Sequence, residues 1–502
     1  DFIVNHALIF LCAGALYWEQ NKQKGAVRTV TCHLAIDIGA SSGRHIVGWV
    51  EDGRMHLKEV YRFENRLTEK NGHLCWEMDR LWENVLAGLK ACKAAGFTPA
   101  TLGIDTWAVD FVLLDENGRI IGDTVAYRDS RTEGERERLE SILPFSEHYA
   151  RTGIQYQPFN TAYQLAALNR EHPEQLAAAR TFLMVPDYLN YKLTGVAANE
   201  YTNASTTALV GAGSRDWDAE LIAKLGIPRA IFQPIRMPGT ALGRLTPEVR
   251  EAAGFDCTVL LPATHDTGSA WLAVPARDEN AVYLSSGTWS LLGVENGSPI
   301  TTPASCAANF TNEGGYGGTY RYLKNIMGLW MIQSVRRELG ARDPGGRRPG
   351  FPELIAAAQE SGAFPGMVDA DDPRFLAPAS MIDEVTAACA EAGYPRPQTT
   401  GEVMQTIYNS LADDYRRAVA SLQTLTGRRY TSVNIVGGGS QDRYLNQMTA
   451  NATGLPVYAG PTEGTALGNL MVQFIASGEY ADVQSARNAI RKSFEIKEVL
   501  PQ

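Results

Sequence analysis

The 502-residue chain has no C-x-x-C pair, no G-x-x-x-x-G-K-[ST] loop and no excess of positive charge. Each absence removes a class of protein. The seven cysteines, Cys12, Cys32, Cys75, Cys92, Cys257, Cys306 and Cys389, are odd in number and scattered. That pattern argues against a disulfide framework or a zinc site and for a reducing compartment, the cytoplasm. Without the Gly-Lys-Ser/Thr loop, the P-loop nucleotide enzymes are excluded. A net charge of −10 argues against nucleic acid, which needs basic surface, but leaves a small anionic ligand open. The apolar stretch Ala7 to Trp18 is too short to cross a bilayer, so no membrane partner is expected. Ala13-Gly14-Ala15 mimics a signal cleavage site, yet no Lys or Arg precedes the stretch. Residues 1–30 are therefore expected to be an extension outside the fold.

The organised pattern begins at His33. Ala35-Ile36-Asp37-Ile38-Gly39-Ala40-Ser41-Ser42-Gly43-Arg44 is an apolar run carrying one acid, then a small-residue turn, followed by a second apolar run, Ile46 to Val50. Gly and Ser leave backbone N–H groups free to face an anion. Asp37 stands where it could hold a divalent cation through water. The stretch reads as a phosphate hairpin, or more plainly as a β-hairpin with a small turn. The same plan returns at Tyr283-Leu284-Ser285-Ser286-Gly287-Thr288-Trp289-Ser290-Leu291, which hints at a duplicated fold. The length suggests two or more domains. Further strands are expected at Leu102–Asp105, Val109–Leu114, Val259–Pro262 and Val433–Val436, with Val109–Ile121 closing as a hairpin at Asp115-Glu116-Asn117-Gly118. Helices are expected at Asp79–Ala95, with Asp79 as N-cap, at Glu402–Leu425 and at Thr465–Ser477. Hairpins early and strand–helix alternation later predict an α/β fold with mixed sheets.

Five further segments could carry chemistry. Thr264-His265-Asp266-Thr267-Gly268 opens from a strand end, where α/β folds keep ligands. Asp266 is a candidate general base or the cap of the following helix, and the two roles are compatible. Gly103-Ile104-Asp105-Thr106-Trp107-Ala108-Val109-Asp110 joins acids to an indole that could cover a sugar face or simply fill the core. Gly437-Gly438-Gly439 and Gly460 to Asn469 are Gly-rich entries to helices, suited to a close approach by a flat ring or phosphate. For the second, packing against the sheet is an equal alternative. Asn325 and Gln333 fall about two turns apart on an expected helix, from which both could face one cleft.

Together these pieces resemble the FGGY carbohydrate kinases. AIDIGASSGR, GIDTWAVDFVLLD, AYRDSRT, MVPDYLNYKLTG, EYTNASTT, HDT, YLSSGTWSLLG, NFTNEGG, LKNIMGLW, NIVGGGSQ and AGPTEGTALGN carry the match, from about residue 33 to the C-terminus. HDT, SSGTWSL and KNIMGLW are most similar to the branch that phosphorylates L-rhamnulose. The resemblance implies two ribonuclease-H-like domains of the actin/hexokinase-like ATPase kind around a central cleft: residues 31–272 on the sugar and phosphate-hairpin side, 273–490 on the nucleotide side, and a tail, 491–502, returning to the first domain. It implies transfer of a phosphoryl group from ATP to the C1 hydroxyl of L-rhamnulose. Asp266 would accept the proton, with Ala108, His265, Thr267 and Asn325 beside it on the substrate. Ala40, Ser41, Ser42, Gly43, Arg44, Thr288, Gln333 and Gly438 would hold ATP, and Asp37 would orient Mg²⁺. A monomer acting on a small ketose is expected.

The chain departs from the family pattern at three points: Ala108 stands where the motif TWGVDF has glycine, Ala40 where many relatives have Thr, and Asn451 where sugar kinases often have Asp. Kinases of L-fuculose, xylulose or glycerol remain alternatives, as does a non-enzymatic actin-like ATPase switch, against which TWAVDF and HDT argue.

Overall fold

β1 (Cys32–Ile38) turns through Gly39 to Ser41 into β2 (Ser42–Glu51), which turns into β3 (Arg54–Glu64). In the computed structural model, which describes residues 30–502, every residue of β1 is buried. A strand covered on both faces reads as a continuous apolar run rather than an alternation, as Leu34 to Ile38 does. β4 (Thr101–Thr106) lies parallel to β1 and sets Asp105 directly opposite Asp37. β5 (Ala241–Arg244) and β6 (Thr258–Leu260) complete the first sheet, β6 parallel to β4 and β5 antiparallel to β6 at the edge.

The second sheet repeats this plan. β7 (Ala281–Ser286) and β8 (Ser290–Asn296) form its hairpin; β9 (Thr311–Gly314) and β10 (Tyr320–Ile326) extend that side. β11 (Ser432–Val436) and β12 (Val457–Ala459) add in parallel on the other, and β13 (Lys497–Val499) closes the edge. In both sheets a hairpin strand is flanked by its antiparallel partner and by a parallel strand, so the two phosphate-hairpin motifs occupy equivalent positions. This is the mixed α/β architecture of the actin/hexokinase-like ATPases.

Six helices matter for the site: α1 (Met78–Ala94), α2 (Asp266–Leu272), α3 (Trp330–Arg342), α4 (Thr400–Thr426), α5 (Gly464–Ala476) and α6 (Val483–Ser493). α1 buries Leu81, Val85, Leu89 and Cys92 against the first sheet. α4 is held at its start by a reciprocal Thr399–Glu402 capping box and buries its length in the second core. Each such fully buried Leu or Val contributes about 1.5–3 kcal/mol. α5 returns from the second sheet to the first: Gln473 Nε2 donates to Leu34 O at 3.0 Å and Asn469 Nδ2 to Gly103 O at 3.1 Å. It crosses α2 so closely that a Cβ on Gly468 would lie 1.6 Å from Ser269 O.

Four expectations change. Glu77, not Asp79, occupies the cap position of α1, and its side chain makes no capping bond. Phe111–Leu114 takes its longer pairing from Thr181–Met184, and the expected hairpin closes only around its turn, through Asp115 N to Arg119 O at 2.9 Å, the Leu114–Ile120 bridge and Ile121 N to Leu113 O at 2.8 Å. Asn325 belongs to strand β10, opposite Leu291, and Gln333 to α3 beyond a turn at Gly328 (φ +39°). Sheet pairing overrides the local helical spacing there. The C-terminal return to the first sheet is made by 464–493: Ser493 Oγ accepts from Met55 N at 2.9 Å, after which β13 joins the second sheet. The extension expected at 1–30, with its Ala7–Trp18 run, lies, apart from Val30, outside the described residues.

Candidate active site

Between the sheets opens a cleft of about 350 Å³, the size of a small-molecule site. Ala40, Ser41, Arg44, Ala108, His265, Asp266, Thr267, Thr288, Asn325 and Gly438 line it, so most residues singled out from sequence converge. Asp37, Ser42, Gly43 and Gln333 lie off its surface. Ser42 is already in the ladder opposite Glu64. Gly43 serves packing, since a Cβ there would lie 2.2 Å from the Phe63 ring. Gln333 sits half-buried in the first turn of α3. Asp37 Oδ2 accepts from Arg44 Nη2 at 3.0 Å, and Arg44 Nη1 pairs with Glu463, just before α5.

Both hairpin turns face the cleft, each braced from behind. Gly39 N donates to Ser42 O at 2.9 Å, and Asn65 Nδ2 to Gly39 O at 3.0 Å. In the second, Gly287 O and Thr288 O accept from Leu329 N and Trp330 N, tying the turn to the start of α3. The triple glycine divides its labour. Cβ atoms on Gly437 and Gly439 would meet Ser286 O at 2.8 Å and Ser286 Oγ at 1.9 Å, whereas Gly438 faces open space. Thr462 and Thr465 also reach the cleft, while Gly464 and Gly468 pack, so the second Gly-rich segment both lines the cleft and packs beneath it.

Asp266 is the first residue of α2, and the cap position belongs to His265. Its Oδ1 accepts from Thr267 N at 2.6 Å and Thr267 Oγ1 at 3.1 Å. Burial, with the Asp37 charge adding and His265 opposing, pushes its carboxyl above the ordinary aspartate range. Behind it runs a buried polar chain: His265 Nε2 lies 3.5 Å from Asp266 Oδ1, and His265 Nδ1 lies 3.2 Å from Glu313 Oε2 and 3.0 Å from Arg321 Nη2. Although burial alone would raise it, the Arg321 guanidinium holds the Glu313 carboxyl below its usual range. Beside Asp37, burial and the Asp37 charge keep Asp105 well above its ordinary value, with Asn469 Nδ2 donating to it at 2.6 Å.

The TWAVDF segment forms the floor. Asp110 Oδ2 accepts from Trp76 Nε1 at 2.6 Å, Trp107 Nε1 at 2.9 Å and Tyr127 N at 3.2 Å. Burial raises this carboxyl to about 6. The two indoles stand 4.1 Å apart, so Trp107 is both core and cleft edge. Ala108, in place of the family's glycine, does not occupy the left-handed region; Val109 does, at φ +68°. A β-branched residue there is strained, and Thr161 Oγ1 holds it by donating to Val109 O at 2.7 Å. The Ala108 methyl therefore costs no backbone strain.

Several residues of the site escape sequence reasoning. Glu313 lies within the quoted NFTNEGG, but nothing local pairs it with Arg321. Glu200, at a helix start in EYTNASTT, reaches Thr264 across 64 residues. Gln155 Nε2, Thr311 Oγ1 and Asn325 Oδ1 are buried without hydrogen-bond partners, and all three residues line the cleft. Leaving such a group unpaired costs about 1–3 kcal/mol. A ligand rich in hydroxyls would satisfy them.

Comparisons with known proteins agree with this architecture. The N-terminal domain of the FGGY family of carbohydrate kinases matches residues 32–273, and its C-terminal domain matches residues 282–477. The chain is 48% identical over 465 residues to a protein named rhamnulokinase from Oceanobacillus iheyensis, covering 93% of this chain and 97% of that one. It is 42% identical over 471 residues to the rhamnulokinase of Bacillus subtilis, covering 94% and 95%. Among solved structures, gluconate kinase from Lactobacillus acidophilus superposes with a TM-score of 0.79 at 16% identity, covering 94% of each chain. Plasmodium falciparum glycerol kinase with ADP superposes at 0.75 and 14%, covering 94% of this chain and 95% of that one. These two share the fold. With duplicated hairpin sheets around one cleft and both domain profiles matched in order, this chain belongs to the FGGY family of carbohydrate kinases.

Proposed function

We propose that the protein transfers the γ-phosphoryl group of ATP to the C1 hydroxyl of L-rhamnulose, giving L-rhamnulose 1-phosphate and ADP. The observation that carries this reading is the position of Asp266, in a cleft shared by both hairpin turns and by the unpartnered polar atoms of Gln155, Thr311 and Asn325. The choice of ketose is supported by the relatives' name at 42–48% identity.

In this reading the turns at Ala40–Arg44 and Thr288, with Gly438, hold the triphosphate, and Gln333 stands at the nucleotide end. Ala108, His265, Thr267 and Asn325 orient the sugar. The C1 oxygen attacks the γ-phosphorus as Asp266 takes its proton; the bond from the γ-phosphorus to the bridging oxygen breaks, and ADP leaves with that electron pair. Its raised carboxyl makes Asp266 a stronger base than an ordinary aspartate. Phosphoryl transfer otherwise asks for positioning and charge neutralisation. A nucleotide-borne Mg²⁺ keeps most of its water and needs only one or two carboxylates. Asp37, whose Oδ2 already accepts from Arg44 Nη2 beside the first hairpin turn, would supply one such carboxylate. When bound, the ion would neutralise phosphate charge.

The cytoplasm and a monomeric state complete the proposal. Among the described residues no helix is long and apolar enough to cross a membrane. ADP release from the purified chain with L-rhamnulose, L-fuculose, xylulose and glycerol tests the reading. Faster turnover of any of the other three than of L-rhamnulose would overturn the substrate assignment.

A further inference from the structure

Arg321 and Glu313 face each other across β9 and β10, and both are buried, at 1% and 5% exposure. They belong to the second sheet, yet the guanidinium reaches His265 at the end of the first. Arg321 Nε donates to Gly314 O at 2.9 Å, and Nη2 lies 3.0 Å from His265 Nδ1 in hydrogen-bonding geometry. Glu313 Oε2 lies within 3.2 Å of the same ring nitrogen, but its geometry makes no hydrogen bond. Its charge balances Arg321, 3.0 Å away.

A guanidinium has donors only. A ring nitrogen that accepts from it must present a lone pair, so the imidazole proton resides on Nε2. That nitrogen lies 3.5 Å from Asp266 Oδ1. A proton on Nδ1 would set two donors against each other inside the protein. The ring orientation follows from the same contact, since the hydrogen bond made by one ring nitrogen decides the role of the other.

We infer that Arg321 is a positioning residue that holds His265 in its Nε2–H tautomer, so that the ring is a fixed donor beside Asp266 and never a competing base. Its lone pair is occupied from the far lobe. Of this adjacent pair Asp266 is thereby left as the proton acceptor, and His265 Nε2–H stands 3.5 Å from its carboxylate. The mechanistic part of this inference rests on the reading of Asp266 as the base; the tautomer itself does not.

Two-bond ¹H–¹⁵N spectra of the full chain labelled with ¹⁵N-histidine test it, with the His265 signals assigned by their loss in His265→Gln. The expected wild-type spectrum, without substrate at neutral pH, has the proton on Nε2 and an unprotonated Nδ1. A proton on Nδ1, alone or in an imidazolium, would overturn the inference whether or not the enzyme turns over L-rhamnulose. In Arg321→Met, Nδ1 is expected to gain a proton and donate to Glu313. The variant's kcat is expected to fall about tenfold to a hundredfold with KM for the sugar within about threefold, and Arg321→Lys to recover part of the loss. An unchanged Nε2–H tautomer in Arg321→Met would also overturn it. If that variant does not fold, the wild-type spectrum still decides. A ketose panel that fails for L-rhamnulose while the Nε2–H tautomer persists would reject the substrate assignment and leave this inference standing.

Discussion

Glu200 Oε2 accepts both the Thr264 amide, at 3.0 Å, and the Thr264 hydroxyl, at 2.8 Å. The same carboxylate accepts from Thr202 N at 2.9 Å, Thr202 Oγ1 at 2.6 Å and Asn203 N at 3.3 Å, and it is fully buried. One acid thus fastens the strand end that carries His265 and Asp266 to a short helix start 64 residues earlier in the chain.

Removing that acceptor leaves buried donors unpaired, at about 1–3 kcal/mol for each one that finds no water. Glu200→Gln is expected to lose the Thr264 contacts and a few kcal/mol of unfolding free energy in urea, and Glu200→Ala more. Unchanged denaturation midpoints in both variants would show that Thr264 is held by something else.

Asp266→Asn is expected to lower kcat by about 10²–10⁴ while sugar affinity stays within a few-fold. Because burial raises the wild-type carboxyl, the acidic limb of kcat/KM against pH is expected above the value near 4 of an ordinary aspartate. A rate that stays flat down to about pH 4 contradicts both the shift and the role.

Asp110 gives stability a pH dependence of definite sign. Its folded carboxyl titrates at about 6, against an unfolded value of about 3.9. Between these, the folded state binds a proton that the unfolded chain has released, so stability falls as pH rises and levels off above about 6, by about 3 kcal/mol in total. Asp110→Asn is expected to flatten that component in denaturation curves taken from pH 4 to pH 7. A variant with the wild-type pH slope would assign the slope to other groups.

Gly468→Ala pits helix propensity against a crossing. Alanine gains about 1 kcal/mol in a helix interior. Its Cβ, however, would lie 1.6 Å from Ser269 O, a backbone atom of α2. The crossing wins: α2 and α5 must separate, and α2 begins with Asp266. A loss of about 1–3 kcal/mol or more, with lower kcat, is expected. Thermal denaturation with a raised Tm would mean the helices are not packed at this distance in solution.

Gln155→Leu tests the unpartnered wall. Losing one hydrogen bond of about 1 kcal/mol to the sugar raises KM for L-rhamnulose about three- to tenfold and leaves KM for ATP unchanged. An equal rise in both would remove Gln155 from the sugar's wall.

Much of the fold was legible because its signals are local. β1 reads from an apolar run, α1 and α4 from their helical patterns, and the two hairpins from their repeated small-residue turns. Two of the misread elements share one reason. Asn325 carries helical spacing to Gln333, but pairing opposite Leu291 holds it in a strand. The hairpin begun at Val109 closes around its turn, yet Phe111–Leu114 makes its longer pairing with Thr181–Met184. In both cases a distant strand supplies hydrogen bonds that the local pattern does not display.

By itself the sequence determined the two hairpins, the helices α1, α4 and α5 and the acid that opens α2, because turn chemistry, periodicity and strand ends act over a few residues. Only the tertiary structure decided what surrounds that acid. Arg321 meets His265 across 56 residues, Glu200 grips Thr264, and Gly468 admits α2, since those contacts depend on how two sheets and two crossing helices come together in space.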